Sequence, residues 1–197
     1  MLTDFKTLRQ DMRKQRRQVS RFQHRQIETA CLNRLRRFVP FIQAKKVGLY
    51  LHAFGEVHTH KMIEYCFSQH KKVYLPIICN MNQRLHWVEI SRQQYQNKRF
   101  SYHPLGMQEA MHTRGQHIST LDLLVLPLVA CDTQGTRIGM GGGFYDKTLA
   151  TAPYKPYRLG LAHNFQLHYE VFKREIWDQP LDALLTEQHL YRFKRSI

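Results

Sequence analysis

The stretch Asp122-Leu123-Leu124-Val125-Leu126-Pro127-Leu128-Val129-Ala130 is apolar at every position after its first. A strand with one wet face alternates polar and apolar residues, whereas a strand covered on both faces reads as a continuous apolar run. The stretch therefore predicts a central strand of a parallel sheet. Outward from it, Lys46–Leu51, Lys72–Ile78 and Leu85–Ile90 read as strands on the N-terminal side. On the C-terminal side Tyr157–Ala162 and Ala183–Thr186 read as buried strands and Leu190–Phe193 as an edge strand. Thr59 to about His70 reads as a helix burying Met62, Ile63, Cys66 and Phe67, and a further helix runs to about Ala150. Ser91–Arg99 is polar and reads as loop. Strands alternating with helices predict an α/β fold, three layers in α/β/α order around a mostly parallel sheet.

Two helices precede the sheet. Over residues 4–19, Phe5, Leu8, Met12 and Val19 share one helical face and arginines fill the others. Ser20 with Gln23 three residues on forms a capping box for a second helix, which carries Phe22, Ile27, Ala30, Cys31, Leu35 and Phe38 and ends near Pro40. Together they predict a basic helical N-terminal arm. With no Pro/Gly/Ser linker, residues 1–197 read as a single domain.

A chain of 197 residues can bury a core without disulfides or metal, and 43% hydrophobic content excludes a disordered protein. No apolar run reaches the length of a membrane span, and Met1–Lys6 lacks a signal-peptide core. Cys31, Cys66, Cys79 and Cys131 form no C-x-x-C pair and read as reduced thiols of a cytoplasmic protein. The twelve histidines include His58-Thr59-His60, without H-E-x-x-H or zinc spacing. The net charge of +15 speaks to partners and leaves nucleic acid, a membrane surface or a small polyanion open. Most of Arg13–Arg17 and Arg34–Arg37 reads as a solvated helix face.

After the central run comes Arg137-Ile138-Gly139-Met140-Gly141-Gly142-Gly143-Phe144-Tyr145-Asp146. Such glycines make either a flexible turn or an anion cradle of bare N–H groups. A helix beginning at Gly143 or Phe144 adds its N-terminus to the cradle. Arg137 can grip phosphate bidentately and Asp146 can hold Mg²⁺. The run is neither a Walker A loop, lacking Gly-Lys-Ser/Thr, nor a dinucleotide fingerprint, since Phe144 stands at its third glycine. It follows the most buried strand, where open α/β sheets place ligands.

The run Asp122-x-x-x-x-Pro127-Leu128-Val129-Ala130-x-Asp132-x-x-Gly135-x-Arg137-x-Gly139-x-Gly141-Gly142-Gly143-Phe144-Tyr145-Asp146 resembles that of the 5-formyltetrahydrofolate cyclo-ligase family. The resemblance extends to Leu8-Arg9 and Arg16-Arg17, Tyr50-Leu51, Gly55-Glu56-Val57-x-Thr59, Val73–Pro76, Gly160–Ala162 and Trp177-Asp178-x-Pro180–Thr186. It implies an ATP- and Mg²⁺-dependent ligase that closes 5-formyltetrahydrofolate to 5,10-methenyltetrahydrofolate with release of ADP and phosphate. ATP is then a co-substrate and Mg²⁺ the cofactor.

By position, the resemblance makes Arg137 and Asp146 catalytic. It gives ATP to Lys6, Arg9, Arg137, Gly139, Gly141, Gly142, Gly143, Phe144 and Tyr145. The folate falls to Leu51, Glu56, Met140, Gly141, Gly142, Gly143 and Phe144, and Mg²⁺ to Asp146 and Asp178. On spacing alone Asp178 reads as a capping aspartate in the turn before Pro180. Phe5 stands where the family often has a basic ATP contact, so that either Lys6 beside it substitutes or the contact is lost, and Gln108-Glu109-Ala110 replaces a Glu-Pro. A helix-rich segment is expected around His163–Arg174. The positive charge suits ATP and a polyglutamylated folate tail, and the expected state is a monomer. Against these stand a nucleic-acid-associated protein using the Arg-rich helix, and another enzyme, such as a sugar-phosphate isomerase, on a similar scaffold.

Overall fold

The computed structural model describes residues 4–79, 81–111 and 114–195. In chain order its elements are α1 Phe5–Gln18, α2 Arg21–Leu35, α3 Val39–Gln43, β1 Lys46–Gly48, α4 His60–Ser68, β2 Lys72–Cys79, β3 Arg84–Ile90, α5 Arg92–Gln96, β4 Phe100–Tyr102 and β5 Gln108–Ala110. They continue with β6 Leu123–Pro127, β7 Ala130–Asp132, β8 Arg137–Ile138, α6 Phe144–Leu149, β9 Tyr157–Leu161, β10 Leu167–His168, β11 Ala183–Leu185 and β12 Leu190–Arg192.

The apolar run supplies β6 at the middle of a seven-stranded sheet of order β12-β11-β9-β6-β1-β2-β3. β2, β1, β6, β9 and β11 run parallel, and β3 and β12 close the two edges antiparallel. Alternate residues of β6 serve opposite layers. Leu123 and Val125 join Val47, Val73 and Leu159 against Leu35 of α2, Phe41 of α3 and Met62 and Ile63 of α4. Leu124 and Leu126 join Tyr74, Trp87 and Leu184 against Leu149 of α6 and the 3₁₀ turn at Ile118. Both faces are dry, which is why the run shows no polar alternation. From β1 the chain moves to β2 on one side and to β6 on the other, so the crevice beyond the carboxyl ends of β1 and β6 is the topological switch point of the sheet.

Several elements depart from the sequence expectation. On α1 the inward residue after Met12 is Arg16, at 1% exposure, and Val19 is only the C-cap. Phe22 points outward, because Cys31, Leu32 and Leu35 form the buried face of α2. That helix stops at Leu35, and a separate one-turn helix, α3, begins with Pro40 in its first turn, where its missing N–H costs no hydrogen bond. The polar stretch after Ser91 is helix α5, because Ser91 and Gln94 form a second capping box. The segment 163–174 holds only a 3₁₀ turn, Asn164–Gln166, and β10, because β10 pairs with β7 instead of coiling. No helix among the described residues is long and apolar enough to cross a membrane.

Candidate functional site

A cavity of about 860 Å³ occupies the switch-point crevice. Tyr50 and Leu51 enter it from the end of β1, and Pro127 and Leu128 from the end of β6. Phe5 and Arg9 of α1, the β4–β5 hairpin, the glycine loop and the segment Lys173–Asp178 complete the wall. The site is thus assembled from segments far apart in sequence.

The turn between β7 and β8 aims the glycine loop. The fully buried Asp132 accepts the N–H groups of Gln134 and Thr136 on Oδ1 (2.9 and 2.7 Å) and that of Phe172 on Oδ2 (2.9 Å). This folds β8 back along β7 and delivers Arg137 to the cavity. The loop then crosses Gly141 at φ +103° and Gly143 at φ +68°, conformations that L side chains rarely adopt. A Cβ at Gly141 would meet nothing within 4 Å, so the backbone there lies open. Gly143 is the N-cap of α6 and offers no side chain, so the first-turn N–H groups stay available as donors. Arg9 Nε donates to Gly139 O (2.9 Å) and pins α1 to the loop.

Arg137 Nη2 donates to Asp146 Oδ1 at 2.6 Å, with the arginine side chain 2% and the aspartate 25% exposed. The Gln179 N–H donates to the same oxygen (3.1 Å). Asp178 also lines the cavity, and its Oδ2 accepts the Glu175 N–H (2.8 Å), closing a turn. It is both a capping aspartate and a cavity residue. The guanidinium of Arg137 lies 5.7 Å from the Tyr145 ring centroid.

Opposite the glycines, the loop after β1 presents Leu51, Phe54 and Glu56. Burial pushes the Glu56 carboxyl up to about 7, against the Ala53 N–H (3.0 Å) and the charge of Arg16. Arg16 holds the loop down: Nε donates to Phe54 O (3.1 Å) and Nη1 to Leu128 O (3.2 Å). His163 Nε2 donates to Gly55 O (2.9 Å), the tautomer that a carbonyl requires. Behind the loop five imidazoles crowd together. His58 stacks on His52 (3.9 Å) and His24 (4.3 Å), His163 meets His24 edge-on (5.4 Å), and His60 meets His52 edge-on (4.6 Å). Burial holds His52 down to about 3 and His163 to about 4, and lowers His24 and His58 as well.

A model of the 5-formyltetrahydrofolate cyclo-ligase family matches residues 3–187. The chain belongs to this family. The 5-formyltetrahydrofolate cyclo-ligase of Escherichia coli is 32% identical over 194 residues, covering 92% of this chain and all of that one. The Haemophilus influenzae enzyme of the same name is 33% identical over 186 residues, covering 91% of this chain and 95% of its own. Among solved structures, Aquifex aeolicus 5,10-methenyltetrahydrofolate synthetase superposes with a TM-score of 0.79 at 27% identity, covering 98% of this chain and 95% of that one.

Of the residues expected for a cyclo-ligase site, Arg9, Leu51, Glu56, Arg137, Gly139, Met140, Gly141, Gly142, Gly143, Phe144, Tyr145, Asp146 and Asp178 all line one cavity. Lys6 does not. It is exposed, its N–H bonds to Asp4 Oδ1 (3.0 Å), and the wall at this end of α1 is Phe5, whose ring packs edge-on against Phe172 (5.8 Å). Gln108 and Glu109 join the wall on β5, where Glu109 Oε1 accepts the Ile78 N–H (2.9 Å) and ties the hairpin to β2. Sequence reasoning missed Phe54, Arg84, Lys147 and Lys173. Lys147 carried a signal, since it lies one residue after Asp146 on a helix opening into the glycine loop. Arg84 and Lys173 carried none, being single charges in a chain of thirty lysines and arginines.

Proposed function

We propose that the protein closes 5-formyltetrahydrofolate to 5,10-methenyltetrahydrofolate at the expense of ATP, releasing ADP and phosphate. One observation carries this: a single cavity joins an open glycine loop, a buried arginine, two aspartates and a carboxylate of raised pKa. Each suits a different part of one two-substrate reaction.

The backbone N–H groups of Gly141–Tyr145, with Arg137 and Arg9, cradle the ATP phosphates. Asp146 and Asp178 would hold Mg²⁺, a hard cation that is bound through one or two carboxylates. These are hard oxygen donors, and Asp146 Oδ2 has no hydrogen-bond partner among the described residues, so the donor set fits. When bound, the cation neutralises phosphate charge. Glu56 holds the pterin through its paired N–H groups, and Leu51 and Phe144 supply apolar walls for the ring. These contacts bring the formyl oxygen to the γ-phosphorus. The oxygen attacks, the bond from the γ-phosphorus to the ADP oxygen breaks, and Arg137 meets the charge spread over the phosphoryl oxygens. N10 then adds to the activated formyl carbon. The carbon–oxygen bond breaks, phosphate leaves with the N10 proton, and the N5–C–N10 amidinium remains. The four free thiols, three of them buried, suit a reducing cytoplasm.

Purified protein mixed with 5-formyltetrahydrofolate, ATP and Mg²⁺ should develop the methenyl chromophore. Absence of that absorbance from folded protein, or its growth without ATP, overturns the proposal.

A further inference from the structure

The segment carrying Asp178 has open space on two sides. Glu175 and Asp178 line the main cavity and also a second one of about 570 Å³. With a cavity on either side, polar contacts and not packing decide where the segment stands. One side chain, Arg158 on β9 at 1% exposure, supplies two of them. Its Nη1 donates to Gln179 Oε1 (3.1 Å) and Pro180 O (3.4 Å). Its Nη2 donates to the carbonyls of Leu149 (3.3 Å), Ala152 (3.4 Å) and Pro153 (3.5 Å).

The first pair of acceptors directly follows Asp178. The second set is the last residue of α6 and the turn that follows it, and the first turn of α6 carries Asp146. A six-residue helix cannot hold itself, and its last carbonyls need partners from outside. The guanidinium thus bridges two segments that each carry one aspartate. On the cavity side the bridge closes through the Gln179 N–H on Asp146 Oδ1 (3.1 Å). The strand below is itself fixed, since the Arg158 N–H donates to Asp182 Oδ2 (2.7 Å).

We propose that Arg158 is a positioning residue that sets the spacing of Asp146 and Asp178 as a cation-binding pair, an inference that rests on reading those carboxylates as the Mg²⁺ ligands. Lysine cannot stand in, because a point charge lacks the planar fork that serves two sets of carbonyls at once.

The test uses Mn²⁺ binding followed by electron paramagnetic resonance in the presence of ADP, with thermal melts, on wild type, Arg158→Lys and Gln179→Ala. The second variant removes the amide that receives Nη1 and leaves the buried residue in place, so it decides the matter if Arg158→Lys fails to fold. In variants that melt cooperatively, Mn²⁺ affinity should fall about tenfold, as for other groups that orient metal ligands. The Mg²⁺ needed for half-maximal turnover should rise in parallel while KM for the folate stays within about twofold. If wild type with ADP binds no Mn²⁺, the cation reading falls and this inference with it. If wild type binds and the folded variants bind equally well, the inference alone falls.

Discussion

Arg137 Nη2 stands 2.6 Å from Asp146 Oδ1, so the carboxylate assigned to the cation is held in advance by a buried guanidinium. The same arginine has a buried Nε with no hydrogen-bond partner among the described residues. Removing the carboxylate therefore does two things. Asp146→Ala should cost about 2–3 kcal/mol of stability, below the ~3–5 kcal/mol of a fully buried pair because Asp146 is a quarter exposed. Asp146→Asn keeps an acceptor for Arg137 and should lose less. Both should lose roughly 100-fold or more in turnover, since the cation supplies several kcal/mol and each ~1.4 kcal/mol is tenfold. Denaturant melts beside steady-state rates separate the two effects; wild-type-like turnover in either variant refutes the metal role.

Glu56 makes a linked prediction. Its carboxyl sits near 7 in the folded chain, against an ordinary value of 4.5. The folded state therefore holds a proton that the unfolded state has released, and stability falls as pH rises from about 4.5 through 7. By pH 8 this costs roughly 3 kcal/mol. Glu56→Gln should melt higher than wild type at pH 8 and match it near pH 5, while KM for the folate rises about tenfold through loss of one charge-assisted hydrogen bond. Equal melting curves at pH 8 would show that the carboxyl is not perturbed.

The histidine cluster works in the opposite sense. The folded pKa values of His24, His52, His58 and His163 are depressed, so the unfolded chain takes up more protons below about 6.5 and stability falls as pH drops from there. At pH 5, His52 and His163 each cost roughly 2 kcal/mol, and relief of the Glu56 penalty between pH 7 and 5 offsets about 2 kcal/mol of that sum. Wild type should therefore lose stability only gently between pH 7 and 5, and Glu56→Gln steeply. Urea unfolding at the two pH values reads the difference; parallel losses would rule out the linkage.

Two neighbouring glycines should fail differently. At Gly142 a Cβ would lie 2.7 Å from the Phe144 ring, so Gly142→Ala displaces a wall residue. At Gly141 it meets no protein atom within 4 Å, and the cost is a backbone strain of about 1–3 kcal/mol plus a methyl in ligand space. Both variants should raise KM for ATP and for the folate. Normal kinetics for both substrates would mean that the reaction occurs elsewhere.

Arg16 and Arg17 provide a contrast within one helix. Arg17→Ala should be nearly silent, because the side chain is exposed. Arg16→Ala leaves the carbonyl of Phe54 without its donor, removes one of the two donors to Leu128 O (Gln166 Nε2 remains, at 2.8 Å) and should cost about 2 kcal/mol. Equal melting temperatures would contradict the structure.

The pair also shows what the sequence could and could not convey. The sheet was legible because β6 is dry on both faces, and continuous apolarity has few other causes. The glycine loop was legible because open backbone near a ligand demands missing side chains. Arg16 was not, since a buried arginine and a solvated one look alike until the partner carbonyls, 38 and 112 residues away, are placed. The cluster of five imidazoles was invisible for the same reason: they come from α2, from the loop after β1, from the start of α4 and from the turn after β9. Lys6, marked by the resemblance as a substitute beside Phe5, lies outside the cavity wall because the helix turns Phe5 and Arg9 to the cavity.

The hydrogen bond from Arg9 to Gly139 joins residues 130 positions apart. During synthesis the first helix leaves the ribosome long before its docking surface exists, and at about 5–20 residues per second it waits on the order of ten seconds. The loop that is made late thus receives a wall that was made first, and the cavity can close only when most of the protein has been translated.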